Sequence, residues 1–504
     1  MPLAPPTRSS RFDLRLSALV LSGLVAAALA LPLSCVFHTA GIDGPPLDDP
    51  PDGGDGICGD GLRAPSEACD GDDLGGQSCA SRGYAGGELR CDTSCAFDPS
   101  ACEAPATCGD GEVDPGEACD GADLAEMSCE LLGHFTGALT CSAQCTLDES
   151  ACLDAPSDWY DVAWAHRRTL TIQRTKVAEE LSSLAVLIDL SGDWLSQARP
   201  DGADLLFTEA NGKTPLPLEI ERFAGSPPRL TAWVRVPGLS PSVDTPILLY
   251  YGNPSPAAPP SAGPVWEESF AGVWHLGEAF TAGEQGGVHA DATGQGRTGT
   301  QNGNGVSAGK IGEAQVFDGK GDHIDIAHPE AFVLGDSDCT ISAWIKTGSS
   351  QPMGILLKSK GLVHEPGDKL FGVNHTSKKL GQDQGWVDYV GGITDIDDDA
   401  WHYVVWTQKR NVANQEERWE LYVDGGHETG KNATTKDDVA GHTLRIGWHA
   451  DGSYFDKPFD GSIDELRVSS VTRSPGWIAT TFANQSDPGS FTTVGPEQSL
   501  PKAP

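Results

Sequence analysis

Twelve cysteines between residues 58 and 152 place the strongest constraint on how this chain can fold. They form two sets of six: Cys58, Cys69, Cys79, Cys91, Cys95 and Cys102, then Cys108, Cys119, Cys129, Cys141, Cys145 and Cys152. The successive spacings are 11, 10, 12, 4 and 7 in both sets, and each cysteine lies 50 residues from its counterpart. Neighbouring words repeat too: Cys58-Gly59-Asp60-Gly61 answers Cys108-Gly109-Asp110-Gly111, and Glu67-Ala68-Cys69-Asp70-Gly71 answers Glu117-Ala118-Cys119-Asp120-Gly121. This is an internal duplication. Neither repeat has enough large apolar side chains for a sizeable core. Disulfides offset that lack by restricting the unfolded chain, by about 2–4 kcal/mol each. Zinc is the weaker reading, since the cysteines are not in CxxC pairs and His134 is the one histidine in either repeat. The spacing leaves the pairing open.

Disulfides imply an oxidising compartment, and the N-terminus reads as an export signal over residues 1–34. Arg8, Arg11 and Arg15 precede an apolar run from Leu16 to Leu33. The ending Leu31-Pro32-Leu33-Ser34-Cys35 resembles a bacterial lipobox, which implies lipidation of Cys35, although Pro32 stands where that pattern usually has Leu. A cut after Ala28-Leu29-Ala30, or retention of the run as an anchor, are the other readings. All three put the remainder outside the cytoplasm, in the cell envelope or at its surface. Residues 35–57, rich in Gly, Pro and Asp, read as a tether. The net charge of −38 opposes binding to phosphate backbones and so excludes nucleic acid as a partner.

With 61 Gly and 35 Pro in 504 residues, the chain is predicted to be mainly β: disulfide-rich repeats (58–102 and 108–152), then two antiparallel β-sandwiches. The repeats resemble Cys-Gly-Asp-Gly…Glu-Ala-Cys-Asp-Gly modules of bacterial surface proteins, which act there as spacers. Short alternating runs over 158–253 predict a small sandwich. Its words Gly202-Ala203-Asp204-Leu205-Leu206-Phe207-Thr208, Trp233-Val234-Arg235-Val236-Pro237 and Tyr250-Tyr251-Gly252-Asn253 resemble a bacterial domain of unknown function often found before laminin-G-like domains. After a Pro-rich linker, residues 265–498 carry Phe317-Asp318-Gly319, Asp322-His323-Ile324-Asp325-Ile326, Thr340-Ile341-Ser342-Ala343-Trp344-Ile345-Lys346, Trp401-His402-Tyr403, Leu421-Tyr422-Val423-Asp424-Gly425, Leu444-Arg445-Ile446-Gly447 and Ile463-Asp464-Glu465-Leu466-Arg467. In this order they resemble a concanavalin A-like, laminin-G-type jelly roll. Residues 340–346 alternate as a half-buried strand should. Ser474-Pro475 is predicted to open a short helix running to Asn484.

The resemblance implies a lectin-like binding module for a glycan or a surface protein, with adhesion as its role; a glycoside hydrolase on the jelly roll and a purely structural envelope protein are the alternatives. It also implies calcium beside the ligand-binding edge. Asp291, Asp464 and Glu465 are the candidate ligands, because calcium takes carboxylate and carbonyl oxygens from loops. Surface ion pairs and turn capping are the simpler reading of the same residues. For ligand contact, the stretch with Trp448, His449, Asp451, Tyr454 and Phe455 combines aromatic faces with polar groups. No catalytic residues are assigned, and the chain is expected not to be an enzyme. A glycoside hydrolase would need two carboxylates roughly 5–10 Å apart across a cleft. Glu112-Val113-Asp114-Pro115-Gly116-Glu117 mimics the carboxylate pattern of some glucan hydrolases, but it lies in a Pro-Gly turn and has no equivalent in the first repeat. His402 is read as a strand feature and Cys339 as a buried thiol, or as a partner for Cys35 if that residue is not lipidated.

Overall fold

The computed structural model describes residues 58–501 except 83, 85, 104–107, 115, 257–262, 336, 361–367, 374–377, 386–387, 412–415, 435–440 and 449–457. The signal, the tether and Cys35 therefore lie outside the described residues. Among those described, no helix is long and apolar enough to cross a membrane.

Both repeats are disulfide-linked in the same way. The pairs are Cys58–Cys95, Cys69–Cys91 and Cys79–Cys102 in the first, and Cys108–Cys145, Cys119–Cys141 and Cys129–Cys152 in the second. The duplicated words have a physical reason. The Asp70 carboxylate, 1% exposed, accepts the Gly59 and Gly61 N–H groups at 2.6 and 2.9 Å. Asp120 does the same for Gly109 and Gly111. Those four glycines sit at φ of +87 to +100°, a region that side chains with a Cβ avoid. The Cys-Gly-Asp-Gly word is thus a loop wound around the aspartate of Cys-Asp-Gly. Glu117 accepts the Asp114 N–H at 3.1 Å, so the hydrolase-like pattern closes a turn.

The rest of the chain is built from strands β1 (His166–Ile172), β2 (Leu181–Ser191), β3 (Leu206–Glu209), β4 (Leu218–Ala224), β5 (Arg229–Leu239) and β6 (Thr245–Tyr251). There follow β7 (Phe270–Trp274), β8 (Gln285–His289), β9 (Gly299–Asn302), β10 (Gly305–Ala308), β11 (Glu313–Asp318), β12 (His323–Ile326), β13 (Cys339–Lys346), β14 (Met353–Ser359), β15 (Lys369–Val373) and β16 (Lys379–Asp383). The last are β17 (Tyr389–Asp395), β18 (Trp401–Asn411), β19 (Glu416–Val423), β20 (Gly426–Thr434), β21 (Thr443–Ile446), β22 (Asp460–Ser469) and, after helix α1 (Pro475–Ser486), β23 (Thr492–Ser499). Ser474 caps α1 by accepting the Trp477 N–H, as the sequence predicts.

The small sandwich pairs sheet β2-β5-β4 with sheet β3-β6-β1-β23. The jelly roll has a first sheet β10-β11-β22-β13-β18-β19-β20, with β7 also on β22, and a second sheet β8-β9-β12-β21-β14-β15-β16-β17. Ile324, Ile341, Val404, Trp406, Leu421, Leu444 and Ile463 fill the space between the two sheets.

Two features depart from the expected boundaries. β23 leaves the jelly roll and pairs antiparallel with β1, Thr492 opposite Ile172 and Ser499 opposite His166. The segment assigned to the jelly roll up to 498 therefore ends inside the small sandwich, where it covers an otherwise open edge of β1. Second, β13 is not half-buried: every residue from Cys339 to Ile345 is buried. Trp344, Tyr403, Val405 and Tyr422 alternate with the interior residues and point to the other face of the first sheet. There they join Leu184, Val186, Trp233 and Val234 of the small sandwich, and Trp477 and Ile478 of α1, in one apolar cluster. Asn484 of α1 also bonds both backbone groups of Leu187 on β2, at 2.7 and 3.0 Å.

Because that cluster belongs to both sandwiches, they are expected to unfold in a single calorimetric transition. Trp344→Ala is expected to shift the whole transition, at a cost of about 3–5 kcal/mol, with no separate early melt of either sandwich. In the repeats, Asp120→Ala removes the buried acceptor of two loop N–H groups, at about 1–3 kcal/mol for bonds to a charged group. Hydrogen exchange followed by mass spectrometry should show faster exchange at Gly109 and Gly111, with all disulfides intact.

Candidate functional site

Strand alternation builds a polar face on the outside of the second sheet. With Ile324 and Ile326 turned into the core, His323 and Asp325 face outward; with Leu444 and Ile446 turned in, so does Arg445. Trp448 follows directly after β21. Its carbonyl passes so close to Gly354 that an added Cβ there would lie 2.0 Å from the oxygen, so glycine is required at 354.

The face is tightly connected. Arg445 Nε donates to Asp325 Oδ1 at 2.7 Å. Asn302 Nδ2 donates to Asp325 Oδ2 at 3.4 Å, and His323 Nε2 lies 3.5 Å from the same oxygen. The His323 ring meets the Trp448 ring edge-on, with centroids 4.9 Å apart. Arg445 lies 6.0 Å from the centre of that indole, which rests on Leu357 and Leu370. His323, and then Arg445, hold the Asp325 carboxyl down at about 2 against the effect of burial. Among the described residues, two donors in this arrangement have no partner, Trp448 Nε1 and Arg445 Nη1, and both atoms are buried. An aromatic surface beside a partly exposed, ionised acceptor can stack on an apolar ring face while the carboxylate accepts from a hydroxyl group.

Of the ligand residues expected from the sequence, Trp448 lies in this face. His449, Asp451, Tyr454 and Phe455 lie outside the described residues. Asn302, His323, Asp325 and Arg445 were not singled out for ligand contact. Their signal was the period-two pattern of Asp322-His323-Ile324-Asp325-Ile326, which sets His323 and Asp325 on one face.

The expected metal ligands do not converge as a trio. Asp291 lines up with no two other ligand-type side chains among the described residues. Its carboxylate is already used: Oδ1 accepts the Thr293 N–H and hydroxyl at 3.0 and 2.7 Å, and Oδ2 accepts the Arg297 N–H at 3.0 Å. Asp464 and Glu465 are elsewhere, buried where the small sandwich meets the jelly roll. A bulge places them there. β22 pairs Arg467 with Ser342 but Asp464 with Trp344, so Ile463 and Leu466 both enter the core and the two acids both turn out of it. Glu465 adopts φ +53°, a left-handed conformation unfavourable for this residue type.

Around Glu465 stand Glu219 and Glu221 of β4, His275 and Arg467. Arg467 donates to Glu465 at 2.6 Å, and its guanidinium lies 4.3 and 4.6 Å from the ring centres of Trp233 and Trp266. Those indoles donate to Glu221 and Glu219 at 3.0 and 2.6 Å. Burial, then the nearby Glu465 charge, push Asp464 well up and Glu221 to about 7. Burial would raise Glu465 as well, but His275 and Arg467 outweigh it and hold that carboxyl low.

Comparison with known families agrees with this architecture. Residues 318–479 match the family described as the concanavalin A-like lectin/glucanases superfamily. The C-terminal sandwich is a concanavalin A-like domain. Residues 201–275 match a domain of unknown function, DUF2341, and that match runs through β7, the first jelly-roll strand. No curated protein matches the chain. Among solved structures, domain 4 of AbnA, a GH43 extracellular arabinanase from Geobacillus stearothermophilus, in complex with arabinotriose, is similar at 18% identity and TM-score 0.32, over 43% of this chain and 98% of that one. The binding domain of Paraclostridial Mosquitocidal Protein 1 is similar at 11% identity and TM-score 0.32, over 43% of this chain and 52% of that one. The CBM40 of Ruminococcus gnavus IT-sialidase bound to α2,3 sialyllactose is similar at 14% identity and TM-score 0.25, over 29% and 84%.

Asp325 generates a pH prediction. Its folded value lies below the ordinary carboxylate range, so its stabilising contribution is fully present above about pH 4 and is lost as pH falls toward about 2. Asp325→Asn is expected to flatten the decline of the melting temperature between pH 4 and pH 2, and to leave the neutral-pH fold, read by circular dichroism, unchanged.

Proposed function

We propose that this chain is an exported, lipid-anchored surface protein whose jelly roll binds a glycan through the outer face of its second sheet. The observation that carries the reading is the Trp448 face: an indole beside an ionised, partly exposed Asp325 that Arg445 and His323 hold in place. Sugars offer an apolar ring face and hydroxyls that both donate and accept, which this set complements. The reading is non-catalytic. Asp325 is tied to Arg445 and held at about 2, too acidic to act as the protonated acid of glycoside hydrolysis at neutral pH. Export is supported by six disulfides of regular pairing, which persist only in an oxidising compartment. The repeats then serve as spacers.

The full chain is the right reagent for a glycan array, because the jelly roll shares its core with the small sandwich. Binding to a defined set of glycans is expected, weakened by roughly tenfold or more in Trp448→Ala with the fold intact. Silence on every glycan, with calcium and with chelator, would overturn the reading, and sugar release would replace it with an enzyme. For the anchor, palmitate should label the wild type and not Cys35→Ser; label surviving that change removes the lipoprotein claim.

A further inference from the structure

The buried cluster between the two sandwiches offers more than an ion-pair network. His275 follows β7, Glu221 lies on β4 and Glu465 on β22, yet one ligand atom from each falls within 4.8 Å of the others. His275 Nδ1 lies 2.7 Å from Glu465 Oε1 and 3.9 Å from Glu221 Oε2. On the opposite side of the ring, Nε2 lies 3.5 Å from Glu219 Oε1. Histidine metal sites likewise keep a carboxylate behind the ring, although this Nε2 makes no hydrogen bond to Glu219 in the structure.

Each inner carboxylate is also steadied from outside the trio. Trp233 Nε1 donates to Glu221, and Arg467 donates to Glu465 Oε2, which leaves Oε1 facing the imidazole. Glu219, Glu221, Asp464 and Glu465 gather about His275 and Arg467, and the fully buried Asp464 keeps an oxygen, Oδ1, with no partner among the described residues. A strained Glu465 held in place by the bulge is the kind of backbone feature that functional sites retain. Solvent reaches the cluster past Glu219, whose side chain is 31% exposed.

We propose that Glu221, His275 and Glu465 bind a divalent transition-metal ion of the zinc class, which fastens the small sandwich to the jelly roll. An imidazole with carboxylates suits zinc better than calcium, which prefers an all-oxygen shell. The proposal is independent of glycan binding and of the Asp291 loop.

The test is zinc titration of the chelator-dialysed full chain against a chromophoric competitor, with melting temperature as a second readout. One tight zinc per chain and a higher melting temperature are expected. Glu221→Gln and His275→Gln should each weaken binding by roughly tenfold or more, with circular dichroism unchanged. His134→Ala is the control, because His134 stands between Glu149 and Asp154 on the second repeat; it should change nothing. The absence of stoichiometric zinc would mean that a proton on His275 does the work, and the proposal fails. It fails equally if both cluster variants bind normally, or if zinc is lost in His134→Ala. Should the cluster variants not fold, cobalt(II) on the wild type decides. Visible bands of a low-coordinate nitrogen–oxygen site at one ion per chain, kept in His134→Ala, support the proposal, and their absence overturns it.

Discussion

The first sheet of the jelly roll is apolar on both faces, and the arrangement of everything after residue 158 follows from how its outer face is covered. Trp344, Tyr403, Val405 and Tyr422 point away from the interior and would present a large greasy surface to water. The small sandwich and helix α1 close over them. Once that surface is shared, the two sandwiches cannot lose their cores independently. The return of β23 to pair with β1 adds a backbone tie to the side-chain seam.

An apolar seam of this size is a costly place for four carboxylates. The structure offsets the cost locally, by setting the Arg467 guanidinium against two indole faces, giving Glu219 and Glu221 an indole N–H each, and directing His275 at the centre. The β22 bulge brings this about: without the extra residue, only one of Asp464 and Glu465 would leave the core. Polar groups buried in this way orient a seam that hydrophobic contact alone would leave free to slide.

The outer face of the second sheet depends on the same alternation. There His323, Asp325 and Arg445 turn outward and are partly exposed, and Trp448, just beyond β21, lies across Leu357 and Leu370. The two jelly-roll sheets therefore divide the work, one gripping the neighbouring sandwich and the other presenting an aromatic and charged surface. His323 and Asp325 could have been placed on that surface from the pattern around Ile324 and Ile326. That Arg445 and Asn302 arrive beside Asp325, from strands 120 and 23 residues away, could not.

Local physics made much of the chain readable from its sequence. Cysteine spacing, glycines in Cys-Gly-Asp-Gly words, period-two runs and the Ser474 cap are short-range signals, and they determined the duplicated modules, the β class and the closing helix. The tertiary structure alone decided the disulfide pairing, the outward Trp344 buried a second time, and the return of β23. It also brought Glu221 and His275, and not Asp291, beside Glu465. Each of these depends on which distant surfaces meet, and a bulge of one residue can turn a side chain from core to seam without leaving a mark in the hydrophobic pattern.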